Sequence, residues 1–69
     1  MVEMIKVESS DLYSIGYENN TLYILFNSGG LYKYMNVDFV VYKELLNATS
    51  KGKFFHQYIK NNYNYQKIN

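Results

Sequence analysis

The residues with the most evident chemistry fall in one short run, Ala48-Thr49-Ser50-Lys51-Gly52-Lys53. Ser50 offers a hydroxyl, Gly52 permits close backbone approach, and Lys51 and Lys53 add positive charge. A helix opening here adds free N–H groups and the positive end of its dipole, so the run is a candidate phosphate site. It lacks the second glycine and the preceding parallel strand of a Walker motif, and an ordinary serine-capped helix start with surface lysines accounts for the same residues. Tyr32 and Tyr34 stand two apart on an extended segment, so their rings project from one face and Lys33 from the other. Paired rings stack a nucleobase; they serve equally as the packing surface of a sheet beneath helices. His56, one turn into the second helix, completes the candidate ligand set. Ser9-Ser10-Asp11 has donors for a ligand, although a turn explains the cluster fully.

Catalysis is disfavoured from several directions. His56 is the only histidine and there is no cysteine, so neither a disulfide framework nor a structural zinc site is expected. No acid lies between Glu44 and the last residue, so a nucleophilic triad needs partners from the first half or the Asp38–Glu44 helix. No paired-carboxylate spacing or metal motif occurs, and no cofactor is implied. The expectation is a binding protein, not an enzyme.

Charge narrows the partner. The 69 residues carry a formal net charge of +1, from seven lysines, no arginine and six acids, which is too weak a balance to imply polyanion binding by itself. Five of the acids precede residue 39 and five of the lysines follow residue 38. The back half therefore presents either an anion-attracting face or a lysine-decorated helix surface. Lack of arginine weighs against base-specific reading of nucleic acid. Nine tyrosines and four phenylalanines exceed what one core of this size needs. Some rings should therefore lie on a ligand site or a subunit interface; a homodimer or larger homo-oligomer would add core that one short chain lacks. Apolar runs such as Leu22 to Phe26 are far too short to span a bilayer, and the N-terminus lacks signal-peptide features. The expectation is a cytoplasmic protein with no membrane partner.

These residues need positioning. The first half has strand character: Val2 to Val7, Leu12 to Tyr17, Thr21 to Phe26 and Leu31 to Met35, separated by turns at Ser9-Ser10-Asp11, Glu18-Asn19-Asn20 and Asn27-Ser28-Gly29-Gly30. The second half has helix character. Asp38 is placed to cap a helix whose stripe is Val37, Val41, Leu45 and Ala48, with Tyr42 and Leu46 beside it. Ser50 caps a second, from about Lys51 to Asn61, with Phe55, Tyr58, Ile59 and Asn62 on one face. On this pattern Tyr42 and Tyr58 belong to the core, while Tyr13, Tyr17, Tyr63 and Tyr65 remain for an interface. The tail, Tyr63 to Ile68, alternates as a short edge strand or an extended packing arm. The expected class is α+β, one domain over 1–69: a curled antiparallel meander of about four strands packed with two short C-terminal helices.

Ser9-Ser10, Ile15-Gly16-Tyr17, Leu22 to Phe26, Ser28-Gly29 and Tyr32-Lys33-Tyr34 resemble the KTSC domain. The likeness continues through Val37, Val41-Tyr42, Leu45, Ala48, Ser50, Gly52, Phe54-Phe55 and Tyr63, covering nearly the whole chain. Its most specific elements are YxY (Tyr32, Tyr34) and AxSxG (Ala48, Ser50, Gly52). One departure is Asp38, where the family tends to have Pro; both suit a helix start. The resemblance implies a short stand-alone bacterial or phage protein, or the C-terminus of a lysyl-tRNA synthetase, with RNA binding as the suggested function. Beside it stand two other readings. Surplus tyrosine, near-neutral charge and one phosphate candidate fit a small nucleotide-type ligand. The composition, rich in Asn, Lys, Ile and Tyr, suits a phage sponge sequestering a nucleotide immune signal. Exposed Tyr and Phe would also fit a protein–protein adaptor.

Overall fold

The computed structural model describes residues 2–69. Five strands form one antiparallel sheet in sequential order: β1 (Ile5–Lys6), β2 (Leu12–Glu18), β3 (Thr21–Phe26), β4 (Leu31–Met35) and β5 (Tyr65–Lys67). Between β4 and β5 lie α1 (Phe39–Asn47) and α2 (Lys51–Phe54), the latter continuing as a π-helical segment, Phe55–Ile59. This is the α+β meander with two short helices that the sequence predicts. The tail supplies the fifth strand, pairing Tyr34 with Tyr65 and Tyr32 with Lys67.

The turns follow from residue type. Asn19 and Asn20 both adopt positive φ, 53° and 59°, the conformation of a tight two-residue hairpin that asparagine tolerates. Gly29, at φ 102°, turns β3 into β4. The register of β2 contains an irregularity that its alternation conceals. Leu12 pairs with Phe26 but Ser14 with Leu25, leaving Tyr13 as an extra, bulged residue. The bulge changes the parity, so that Leu12 and Ile15 both face the core with no exposed surface, while Tyr13 stands 45% exposed.

One core lies between the sheet and the helices. Leu12, Ile15, Leu22, Ile24 and Tyr34 supply the sheet side; Val37, Tyr42, Leu45, Phe55 and Ile59 supply the helical side. The opposite sheet face is partly covered by the N-terminal segment. A β-carbon on Gly16 would meet the Glu3 carbonyl at 2.7 Å and Met4 Sδ at 2.8 Å, so that crossing needs glycine.

Four expectations change. Tyr58 was expected in the core, but it is 51% exposed. Its helix widens there: the Lys60 N–H donates to the Phe55 carbonyl, an i→i+5 bond, at 2.9 Å. The wider turn keeps Phe55 and Ile59 inward and carries Tyr58 round to solvent. Tyr17, expected at an interface, is half-buried. Its hydroxyl donates to the Val37 carbonyl at 2.6 Å and its ring stacks on Tyr42, with centroids 5.2 Å apart. Tyr63, also expected at an interface, is half-buried against the core. Asp38 does precede α1, but its side chain makes no capping hydrogen bond.

Candidate functional site

Strand alternation places Tyr32 and Tyr34 on the helix-facing side of β4, and the register of β5 sets Tyr65 opposite Tyr34. The three rings cluster with centroids 5.6 to 6.5 Å apart. Tyr34 is buried, Tyr32 half-buried and Tyr65 exposed. Beneath them Phe55 meets Phe26 edge-on at 5.3 Å and Tyr34 at 5.5 Å. Above the buried rings opens a cleft of about 300 Å³, whose further lining is Asp11, Ser28, His56, Lys60 and Asn61. One wall is therefore sheet aromatic and the other is the π-helical segment with its polar exit. The extra residue of a π turn is a frequent accompaniment of functional sites.

The Ser9-Ser10-Asp11 turn fixes the cleft's acidic corner. Ser9 Oγ accepts from the Asp11 and Leu12 N–H groups at 3.1 and 3.2 Å. The Asn27 N–H donates to the Asp11 carbonyl at 2.9 Å. So held, Asp11 Oδ2 lies 2.8 Å from His56 Nε2, with both side chains about half exposed (46% and 50%). An exposed pair of this kind is worth at most about 1 kcal/mol. Its consequence is orientation of the imidazole at the cleft edge.

Of the seven residues singled out by sequence, the structure brings Tyr32, Tyr34 and His56 together in this cleft. Ser50, Lys51, Gly52 and Lys53 do not line it. Ser50 Oγ caps its own helix by accepting from the Lys53 N–H at 3.3 Å, and Lys51 Nζ donates to the Ala48 carbonyl at 3.2 Å. Gly52 is backed by Asp11, whose Oδ2 is 3.9 Å from where a β-carbon would stand. Asp11, from the turn noted as a possible ligand donor, also lines the cleft, and Phe26, Ser28, Phe55, Lys60, Asn61 and Tyr65 complete it without having been singled out as ligands. Tyr65, which the sequence left for an interface, reaches this place only through the register of β5 with β4.

Burial, reinforced by the neighbouring Tyr32 and Tyr65 hydroxyls, pushes the Tyr34 phenol up to about 12. Burial, then Glu3, raises Tyr42 as well. The folded state thus favours the protonated phenols. The contribution of Tyr34 to stability is complete below the ordinary tyrosine value near 10 and is lost as pH rises from about 10 to 12; that of Tyr42 is lost in the same direction. A phenolate absorbance titration should show a delayed fraction that ionises with unfolding, and Tyr34→Phe should diminish it. A single population titrating near 10 in a protein that stays folded would contradict this.

Among the described residues no group of three or more His, Cys, Asp or Glu side chains could hold a metal ion, and no helix is long and apolar enough to cross a membrane.

The KTSC domain model matches residues 8–63. The chain is 39% identical over 67 residues to a lysine–tRNA ligase of Nostoc sp., covering 94% of this chain and 12% of that enzyme. It therefore spans about an eighth of the length of such relatives. It is also 39% identical to an uncharacterized protein of Stutzerimonas stutzeri, covering 97% of this chain and 99% of that one. The crystal structure of a KTSC domain protein from Yersinia pestis superposes with a TM-score of 0.96 at 35% identity, with both chains covered in full.

Proposed function

The chain belongs to the KTSC domain family, and from that premise we propose that it binds, without converting, a small phosphate-bearing nucleotide in the Tyr32–Tyr34–Tyr65 cleft. The observation that carries the reading is the convergence of three tyrosine rings with Lys60 and His56 on one hollow of about 300 Å³. That size lies at the lower end for small-molecule sites and suits a base with its sugar. A base gains from stacking on exposed aromatic faces, and Lys60 supplies a cation for the phosphate. The Asp11 carboxylate behind Gly52 disfavours a phosphate there, so Ser50, Lys51, Gly52 and Lys53 are not the anion contact of this reading. Such a domain would act in the cytoplasm by sequestration, and a nucleotide immune signal is a ligand of the right class.

A second reading, an RNA-binding module, is favoured by one observation: relatives named lysine–tRNA ligase share this domain. Here the same rings would stack bases of a strand, and Lys51, Lys53, Lys60 and Lys67 would meet its phosphates.

Calorimetric titration with AMP, cyclic AMP and ADP-ribose tests the first reading. The expected result is saturable binding in about the micromolar range, weakly dependent on salt. Binding of a single-stranded RNA oligonucleotide alone, falling steeply with salt, selects the second. No heat from any compound rejects both.

A further inference from the structure

The asparagine run that follows the helix has no part in the cleft beyond Asn61, yet it lines a second hollow. Met35, Asn36, Asn61, Asn62, Tyr63 and Asn64 line an open surface hollow of about 330 Å³ beside the first. Asn61 belongs to both hollows. No charged side chain lines the second one, which separates it chemically from the first. It offers four carboxamides and one aromatic ring.

Several of these residues are tied in place. The Met35 N–H donates to the Asn64 carbonyl at 2.9 Å, which joins the asparagine run to the end of β4. Asn62 Nδ2 donates to the Tyr58 carbonyl at 2.7 Å, and the Asn62 N–H to the Ile59 carbonyl at 3.1 Å. Asn36 sits at φ 59°, a conformation asparagine tolerates better than most residues. A carboxamide presents a donor and an acceptor side by side. That pair matches the edge of a nucleobase, adenine above all. Tyr63, half-buried against the core, also lines the hollow.

We propose that this hollow is a second nucleotide subsite. The cleft and the hollow together take two nucleotide units joined through phosphate, one base against Tyr32, Tyr34 and Tyr65 and the other read by the asparagines. The linkage crosses Asn61, and Lys60, its chain neighbour, lines the cleft side of that crossing. The inference rests on the nucleotide reading of the cleft and adds the length of the ligand. A free dinucleotide and two consecutive residues of an RNA strand present the same chemistry.

The test is calorimetric titration of the wild type and Asn64→Ala with AMP, the linear dinucleotide ApA, cyclic di-AMP and an adenosine decanucleotide, with folding of the variant checked by its melting curve. The expected result is that ApA or cyclic di-AMP binds about tenfold or more tighter than AMP, as one additional stacked base provides. Asn64→Ala should remove most of that gain and leave AMP within about twofold. Asn64→Ser, smaller but still polar, serves if the alanine variant melts early. A decanucleotide that exceeds ApA by more than its number of registers assigns the source to RNA; equality assigns it to the free dinucleotide. AMP binding with no gain for any two-unit ligand overturns the second subsite and leaves the cleft standing. An equal loss for AMP and ApA in a folded Asn64→Ala protein also overturns it. Absence of all binding overturns both.

Discussion

Phe55→Ala should cost the domain about 3–5 kcal/mol, the usual penalty for emptying a buried aromatic site. Phe55 is 2% exposed and is one of the residues through which the helical layer packs on the sheet. Its edge contacts with Phe26 and Tyr34 add about 0.5–1.5 kcal/mol each beyond area burial. A chain of this length has in total about 3–10 kcal/mol of stability. The variant should therefore be largely unfolded or melt tens of degrees lower, at about 4–8 °C per kcal/mol. Urea denaturation monitored by circular dichroism measures the loss. A cost below about 1 kcal/mol would mean that the layers do not pack through this ring.

Tyr65→Ala should behave in the opposite way, with little change in stability and a large loss of binding. Tyr65 is 58% exposed and its strand is held by backbone pairing, which alanine preserves. Its ring nevertheless stands 5.6 Å from Tyr34 and 6.0 Å from Tyr32, at the open side of the cleft. If a base stacks there, removing the ring should weaken AMP binding by about five- to 150-fold, equivalent to about 1–3 kcal/mol. The melting temperature should move by only a few degrees. Unchanged affinity in the folded variant would remove Tyr65 from the site. Together the two substitutions separate the aromatic residues that build the fold from those that offer a surface.

That division explains what the sequence made legible. The strands β2 to β4, the asparagine hairpin, the stripe of α1 and the Ser50 cap follow from local rules, because neighbouring residues enforce them. The same-face placement of Tyr32 and Tyr34 follows from strand alternation. Their role did not, since a ring on a sheet face is core or site according to what covers it. Here Tyr34 is packed beneath the helix and also lines the cleft. The bulge at Tyr13 was hidden because it needs the register with β3, which is a property of two strands. The π turn was hidden for a similar reason, and with it the outward swing of Tyr58. Asp11 and His56, 45 residues apart in the chain, meet only because the Ser9 turn packs beside the second helix. The candidate phosphate run was read correctly as a Ser-capped helix start, but its acidic neighbour lay beyond any local pattern.

The most direct measurement is mapping of backbone amide chemical shifts during titration with AMP. Binding in the cleft predicts the largest shifts at Tyr32, Tyr34, Tyr65, His56 and Lys60, with Ser50 to Lys53 moving far less. Shifts centred on Ser50, Lys51, Gly52 and Lys53, or no shift at millimolar AMP, would contradict the account.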